Sequence, residues 1–215
     1  MDTPWESEMK SAFAELEEKH GISGRVREFM DKSVNYHGFP APGVILGAYM
    51  IDLALEKLGA AADDKLFAIA ETKKCVSDSI GIITGCTSGS SKFLLFESGR
   101  ISIALGRDDG SGIAKCIRAF VVANKAAEYP ALKAWYFNDK GSDPKNDLPA
   151  LLDDILTAGR SILSWEHVEV NIPPKDSDWE PALCKKCGEM VPDRLISDGM
   201  CRACGEGSLY IRKDR

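Results

Sequence analysis

Residues 42–59, "PGVILGAYMIDLALEKLG", place apolar side chains on almost every face of a helix until Glu56. Proline is suited to the first turn of a helix, and Gly59 stands where a C-terminal cap favours a residue with positive φ. A helix at the protein surface would instead keep one polar face. The segment therefore predicts a central, largely buried helix, against which the other elements are expected to pack.

Two further helices are indicated before this segment. Thr3 is suited to cap the first helix, Pro4 to occupy its first position and Glu6 to complete a capping box. Gly21 marks the end of that helix, and a shorter helix is predicted for residues 25–35. The chain is therefore expected to begin with helices only.

The middle of the chain is predicted to be rich in strands. "KLFAIAET", residues 65–72, is a continuous apolar run typical of a buried strand, and "SDSIGIITG", residues 77–85, is compatible with a short helix. Residues 92–107, "KFLLFESGRISIALGR", predict two strands joined by a tight turn at residues 97–100. A further strand is expected at residues 113–122.

Two helices, residues 123–136 and 148–164, and a strand, residues 167–172, complete the body. The order of helices, strands and again helices favours an α+β domain over a regularly alternating parallel α/β domain. A polar, proline-marked linker then leads to a cysteine-rich end. The predicted core, linker and small metal-binding module occupy residues 1–172, 173–180 and 181–215.

Composition and charge exclude several classes of function. No apolar run approaches the roughly 20 residues that cross a bilayer. The first ten residues lack the basic and apolar regions of a secretory signal. Residues 1–180 carry 20 Lys and Arg against 28 Asp and Glu, so this part of the chain repels a phosphate backbone on average. We therefore expect a cytoplasmic protein without membrane contact and without nucleic acid as its main partner.

Four cysteines near the end of the chain give the strongest local signal. In "CKKCGEMVPDRLISDGMCRACG" two C-x-x-C pairs are separated by 13 residues, at Cys184, Cys187, Cys201 and Cys204. Thiolates can supply all four ligands of a tetrahedral Zn²⁺, which leaves no open position for a substrate. The alternatives are a redox dithiol or chance, but the surroundings are short, charged and glycine-rich. The pattern predicts a structural zinc that takes part in folding a module too small for a core of its own.

Three residues of the body carry side chains suited to catalysis or metal binding: His37, Cys75 and Asp78. Cys75 is predicted at a strand-to-helix junction, where the helix dipole favours a thiolate, and Asp78 follows about one turn later. Taken one at a time, such residues are more often packed side chains than ligands.

A loop of small residues follows the predicted short helix. Its backbone N–H groups could face an anion, which makes the loop a candidate cofactor-binding segment. It lacks the lysine pattern of a nucleotide-binding P-loop. The candidate residues are Thr84, Gly85, Cys86 and Thr87.

Four motifs occur along the chain in order: "HGFPAPGVILGAYM", "ETKKCVSD", "TGCTSG" and the two C-x-x-C pairs. Together they resemble the FmdE family, which takes its name from formylmethanofuran dehydrogenase, from about residue 25 to the C-terminus. The resemblance implies a two-layer α+β core with a mixed sheet, a treble-clef zinc finger and a homodimer. The resemblance does not imply that the chain is a dehydrogenase. In the formylmethanofuran dehydrogenase complex, the molybdenum or tungsten pterin chemistry belongs to other subunits.

The chain departs from this family where ligands are expected. The family commonly reads H-G-H-x-C-P-G, and this chain keeps His37 but has Phe39 for the second histidine and Ala41 for the cysteine. Two ligands implied by the resemblance are therefore absent. A second metal ion in the core would be held by His37 and Cys75, with Cys86 behind them.

Three functions remain open at this point. The first is a metal-binding accessory protein that resembles the FmdE family, with a structural zinc, a second metal or small-ligand site in the core cleft and a protein partner for its zinc finger. The second is a thiol- or metal-dependent enzyme that uses Cys75 and His37. The third is a zinc-finger adaptor with a vestigial core site. The finger suits protein contact better than base stacking, because Tyr210 is its one aromatic residue.

Overall fold

The chain forms two compact units, Met1–Pro173 and Pro174–Arg215. They are seen in a computed structural model that describes residues 3–107, 110–139, 141, 147–172 and 179–205. The predicted linker, residues 173–180, falls largely outside the described residues and stays a prediction. Within the described residues, no helix is both long and apolar enough to cross a membrane.

Three helices begin the first unit and follow the capping signals of the sequence. Their bounds are α1 Pro4–Lys19, α2 Gly24–His37 and α3 Pro42–Leu58. At the start of α1, the Glu6 amide donates to Thr3 Oγ1 at 3.2 Å, and the Thr3 amide donates to Glu6 Oε2 at 2.6 Å. This reciprocal pair is the predicted capping box.

Helix α3 is the centre of the first unit, as its sequence predicts. Every residue from Gly43 to Leu55 is buried, and Gly59 ends the helix with a φ of +61°. Helix α4, Val76–Thr84, packs closely against it. A Cβ atom on Gly47 would lie 2.7 Å from Ser79 Oγ of α4, so glycine at this position permits the close approach of the two helices.

A five-stranded mixed sheet packs against α3. Its strands are β1 Leu66–Ala70, β2 Phe93–Leu95, β3 Ser102–Arg107, β4 Ile113–Val121 and β5 Leu163–Asn171, in the order β2-β1-β3-β4-β5. The pair β1–β2 is parallel and the others are antiparallel. Leu66, Ile103 and Ile117 face the helices and join the main core, whereas Phe67 and Cys116 belong to a smaller cluster on the other face. The unit is therefore α+β with two layers, as predicted.

The two strands predicted to form a hairpin are not neighbours, and this expectation is wrong. Strands β2 and β3 lie on opposite sides of β1. Helix α4 returns the chain to the start of β1, so β2 runs parallel to it. After β2 the chain passes around the end of β1, where the amides of Ser98 and Gly99 both donate to the Glu71 carbonyl oxygen at 3.0 Å.

The later helices are shorter than predicted. The stretch expected as one helix is divided into α5 Ala123–Ala126 and α6 Pro130–Tyr136, because proline lacks an amide hydrogen and disfavours a helical residue before it. Helix α7 covers Leu148–Ala158 and continues as a 3₁₀ turn, Gly159–Ile162. Residues 163 and 164, predicted to end this helix, therefore belong to β5.

The described residues of the second unit form two short antiparallel hairpins. Their strands are β6 Pro181–Leu183, β7 Met190–Pro192, β8 Ile196–Ser197 and β9 Met200–Cys201. The first C-x-x-C pair lies in the turn between β6 and β7, where Gly188 has a φ of +73°. The second pair begins in β9 and continues into the following turn. Each hairpin thus presents two cysteines.

Candidate functional site

The four cysteines of the second unit form one cluster. Their sulfur atoms all lie within 4.8 Å of one another, at Cys184, Cys187, Cys201 and Cys204. The Cys187 and Cys201 sulfurs are 3.9 Å apart, and the Cys201 amide donates to Cys184 Sγ at 3.3 Å. Four Zn–S bonds of about 2.3 Å in a tetrahedron place the sulfurs about 3.8 Å apart. The arrangement therefore fits a zinc-sized tetrahedral metal ion.

The electrostatics of the cluster also favour a cation. Hydrogen bonds from the backbone amides of Cys201 and Cys187 lower the pKa of Cys184 to about 6. Burial and the neighbouring sulfurs raise the pKa of Cys204 to about 12. Without a bound cation, Cys184 therefore ionises readily and Cys204 does not. A bound metal ion stabilises the thiolate form of all four cysteines.

A cleft of about 800 Å³ opens in the first unit. Its wall combines the start of α1, the connection between α2 and α3, the segment after β1, and helix α6. Polar groups come mainly from residues 72–74 and Glu97. A cleft of this size with an apolar wall and a few polar groups is typical of a small-molecule site. The aromatic side chains in the wall are Trp5, Phe39, Trp135 and Tyr136.

Cys75 is the one predicted core-site residue that lines this cleft. It is half-buried and precedes the first residue of α4. Gly43 lies against it, since a Cβ atom on Gly43 would be 3.2 Å from Cys75 Cβ. Burial, and then the Asp78 carboxylate, raise the pKa of the Cys75 thiol. The expected stabilisation of a thiolate by the helix dipole is therefore outweighed.

His37 pairs with Asp78 rather than with Cys75. Its Nδ1 atom lies 3.2 Å from Asp78 Oδ2, and its ring packs 5.2 Å from the ring of Phe39. Phe39 lines the cleft, but His37 does not. Over the described ranges, the cysteine cluster of the second unit is the only group of three or more His, Cys, Asp or Glu with ligand atoms this close together. His37, Cys75 and Asp78 therefore do not form such a group.

The loop predicted to hold an anion uses its polar groups internally. Thr84 Oγ1 donates to the Ile80 carbonyl oxygen at 2.7 Å and accepts from the Cys86 amide at 3.3 Å. Cys86 is buried, and the Thr87 amide donates to Ser90 Oγ at 3.3 Å. The candidates Thr84, Gly85, Cys86 and Thr87 all lie outside the cleft wall. These hydrogen bonds within the loop stabilise the turn after α4, and they form without any bound ligand.

Sequence reasoning missed a buried ion-pair network at the end of β1. The Glu71 side chain is only 7% exposed and contacts both Arg118 and Arg100. Arg118 also donates to Glu166 Oε1 at 2.8 Å and to Ser102 Oγ at 3.1 Å. Burial alone would raise the pKa of Glu71, but hydrogen bonds led by that from Arg118 hold it below its ordinary value. The network fixes the segment that leads from β1 into the cleft.

Fold and site together define a small α+β protein with an apolar cleft and an appended four-cysteine cluster suited to a metal ion. Residues 36–171, more than half of the chain, match the family model described as "FmdE, Molybdenum formylmethanofuran dehydrogenase operon". The chain belongs to the FmdE family. This confirms the family resemblance of the motifs that lie in this range.

Two relatives illustrate the family match. One is the crystal structure of a tungsten formylmethanofuran dehydrogenase FmdE-like protein from Syntrophus aciditrophicus, 28% identical, with a TM-score of 0.71 and coverage of 88% of this chain and 97% of that one. The other is a "Probable S-adenosyl-L-methionine-binding protein" of Archaeoglobus fulgidus, 27% identical over 213 residues. That alignment covers 90% of this chain but only 56% of the relative, so the chain spans about half of that protein.

Proposed function

We propose that the chain is a metal-binding accessory protein of the FmdE family whose core cleft binds a small organic molecule. The observation that carries this proposal is the cleft of about 800 Å³ with Trp5, Phe39, Trp135 and Tyr136 in its wall. Aromatic walls offer a large apolar surface and stacking partners for a flat ring. The second unit contributes a structural metal site rather than a reactive one, because its four thiolates leave no open position.

An organic ligand suits the cleft better than a metal ion does. The two family positions at which the resemblance implies ligands, Phe39 and Ala41, both line the cleft with apolar groups. Cys75 is the one thiol in the wall, and its raised pKa disfavours a thiolate at neutral pH. The cleft therefore offers few metal ligands, whereas its apolar surface is well suited to the apolar part of an organic molecule.

S-adenosyl-L-methionine is the first ligand to test, since the Archaeoglobus relative is named for binding it. Its adenine ring would stack in the aromatic cleft. Isothermal titration of the purified chain should show saturable binding, and Trp135→Leu should weaken that binding about tenfold because a stacking surface is lost. Trp165→Leu is the control, because Trp165 is an exposed tryptophan that lies on β5 outside the cleft. Equal affinities for both variants would exclude this cleft as the binding site.

We propose zinc as the metal of the second unit. Mass-spectrometric metal analysis of the purified chain should give one zinc per chain, and Cys201→Ser should lower that number towards zero. Another metal at this stoichiometry would keep the site but change its identity. Less than one metal ion of any kind per chain would contradict a structural site.

The second metal ion predicted for His37 and Cys75 is kept as a separate proposal. Its support is the family resemblance together with the position of Cys75 in the cleft wall. If it binds, the wild-type chain holds more than one metal ion and His37→Ala loses only the additional one. An unchanged metal content in His37→Ala would remove it. The predicted homodimer, the protein partner of the zinc finger and the cytoplasmic location stay predictions, and light scattering tests the first of them.

A further inference from the structure

We propose that the ligand of the cleft carries an acidic group and that Arg100 is its anion anchor. This inference rests on the proposed ligand binding by the cleft and adds the chemical class of the ligand, a flat ring with a carboxylate, phosphate or sulfonate arm. It also assigns a binding role to Arg100, which lies outside the four motifs that carry the family resemblance.

A second, more polar cavity adjoins the cleft. This cavity has a volume of about 350 Å³, and Gly99, Ile101 and Tyr136 line both spaces. The smaller cavity also contains Arg100 and Arg118 in its wall. A ligand that places its ring in the aromatic cleft can therefore extend an arm past the shared wall towards two guanidinium groups.

Arg100 has the freer guanidinium of the two. Arg118 is only 14% exposed on its side chain, and its nitrogens are engaged by Glu71, Glu166 and Ser102. The Arg100 side chain is 60% exposed, and its partners Glu71 and Ser98 both engage Nε. Within the described part of the chain, its two terminal amino groups have no partner. They are therefore available to a ligand.

Arg100 is also held in place before any ligand binds. Its Nε atom lies 2.5 Å from Glu71 Oε2 and donates to Ser98 Oγ at 3.0 Å. The backbone that carries it is anchored as well, since Ser98 and Gly99 both donate to the Glu71 carbonyl oxygen. A planar guanidinium fixed through Nε presents its remaining donors as a fork, which matches the two oxygens of an acidic group.

The other cations near the cleft are less suited to this role. Lys73 is paired with Glu97. Lys74 lines the cleft but is exposed, and its long side chain is not fixed by a side-chain partner among the described residues. An ammonium on a mobile stem gives less directional recognition of an acid than a held guanidinium does. Lys74 is therefore the less suited anchor, and Lys74→Gln tests it directly.

Two fluorescent probes of the same shape test the anchor. Anilinonaphthalene sulfonate and phenylnaphthylamine share their aromatic rings, and only the first carries an acidic group. Both should bind the wild-type chain, with the sulfonate tighter. Arg100→Gln should weaken binding of the sulfonate about tenfold and leave the neutral probe unchanged, since a charge-assisted hydrogen bond is lost. Arg100→Lys should recover part of the difference. Arg107→Gln, which alters an exposed, carboxylate-paired arginine outside both cavities, should change neither affinity by more than about twofold.

Each of the other outcomes contradicts a specific part of the proposal. If Arg100→Gln weakens both probes equally, the residue shapes the cleft and is not an anion anchor. If it changes neither probe, or if Lys74→Gln shows the selective loss, the assignment of Arg100 is wrong although the cleft still binds ligands. If neither probe binds the wild-type chain, or if Trp135→Leu leaves both affinities intact, the cleft is not their site and the proposed function fails with the inference.

Discussion

The two units of the chain are stabilised in different ways. The first unit buries a large apolar core around α3, in which residues such as Met50 and Ile51 are fully buried. The buried cluster of the second unit consists of Cys184, Cys201 and Cys204, with a few partly buried neighbours. The first unit thus has enough apolar surface to fold through burial. The second unit instead depends on a metal ion bound by its four sulfurs. The predictions below separate these two sources of stability.

The largest effect is expected from removing the metal. A strong chelator, or Cys201→Ser, should unfold the second unit completely, because metal binding and folding are the same step in so small a module. The thermal unfolding of the first unit should stay unchanged. Limited proteolysis followed by mass spectrometry distinguishes the two units. Cys116→Ser is the control, since this thiol lies in the sheet of the first unit and should not alter the metal content.

A smaller but still large effect is expected at the ion-pair network of the first unit. Glu71→Gln leaves the mostly buried Arg118 without its carboxylate and should destabilise this unit by about 3 kcal/mol at pH 7. Glu166→Gln removes the other carboxylate partner of Arg118, but Glu166 is half exposed, so the loss should be below about 1 kcal/mol. Urea denaturation measures both, and similar losses would show that burial of Glu71 is not the cause.

The same network has a defined pH dependence. Because the pKa of Glu71 is lower in the folded chain than the usual 4.5, its stabilisation is complete above that pH and is lost as the pH falls through the folded pKa. The difference between wild type and Glu71→Gln should therefore shrink below about pH 4.5. A difference that is constant between pH 7 and pH 3 would contradict an ionised Glu71.

The four-cysteine site was predictable because its information is local. Two C-x-x-C pairs within one short segment name both the ligands and their number, and no distant residue is needed. Helix α3 was predictable for a similar reason, since its apolar residues are continuous in the chain. Both features are decided by neighbours in sequence.

The cleft was not predictable in this way because it is assembled from distant residues. Trp5, Phe39 and Trp135 come from three separate elements, and Glu71 meets Arg118 across 47 positions. The failed hairpin has a related cause. Strand β1 is buried at every residue, which indicates a central strand with neighbours on both sides. The hairpin was predicted because β2 and β3 follow one another in the sequence with only a short segment between them.

A moderate effect is expected where α3 and α4 touch. Gly47→Ala should destabilise the first unit by about 1–3 kcal/mol, since the added Cβ would lie 2.7 Å from Ser79 Oγ. Gly81→Ala in α4 is the matched control, because the nearest atom to its new Cβ would be at an ordinary 3.6 Å. That variant should instead stabilise the unit by about 0.5–1 kcal/mol through helix propensity. A stabilising effect of Gly47→Ala as well would show that propensity, not packing, decides at both positions.

The last effect depends on pH and is expected at Glu17 of α1. Its side chain is only 2% exposed, its Oε1 atom has no hydrogen-bond partner among the described residues, and Arg27 approaches Oε2 only to 3.7 Å. Burial, and then the charge of Asp31, raise its pKa to about 7. Between the ordinary value of 4.5 and 7 the unfolded chain releases this proton while the folded chain keeps it, so stability falls as the pH rises through this range.

Glu17→Gln should therefore gain stability relative to the wild type as the pH rises from 5 to 8, by up to about 3 kcal/mol. Glu18→Gln at the exposed neighbouring position is the control, and it should change stability by less than about 0.5 kcal/mol. A loss of stability at pH 8 would mean that the attraction of the ionised Glu17 carboxylate to Arg27 outweighs the cost of burying it. In either case the metal content should not change, because this substitution alters the burial of charge in the first unit and not the sulfurs of the second.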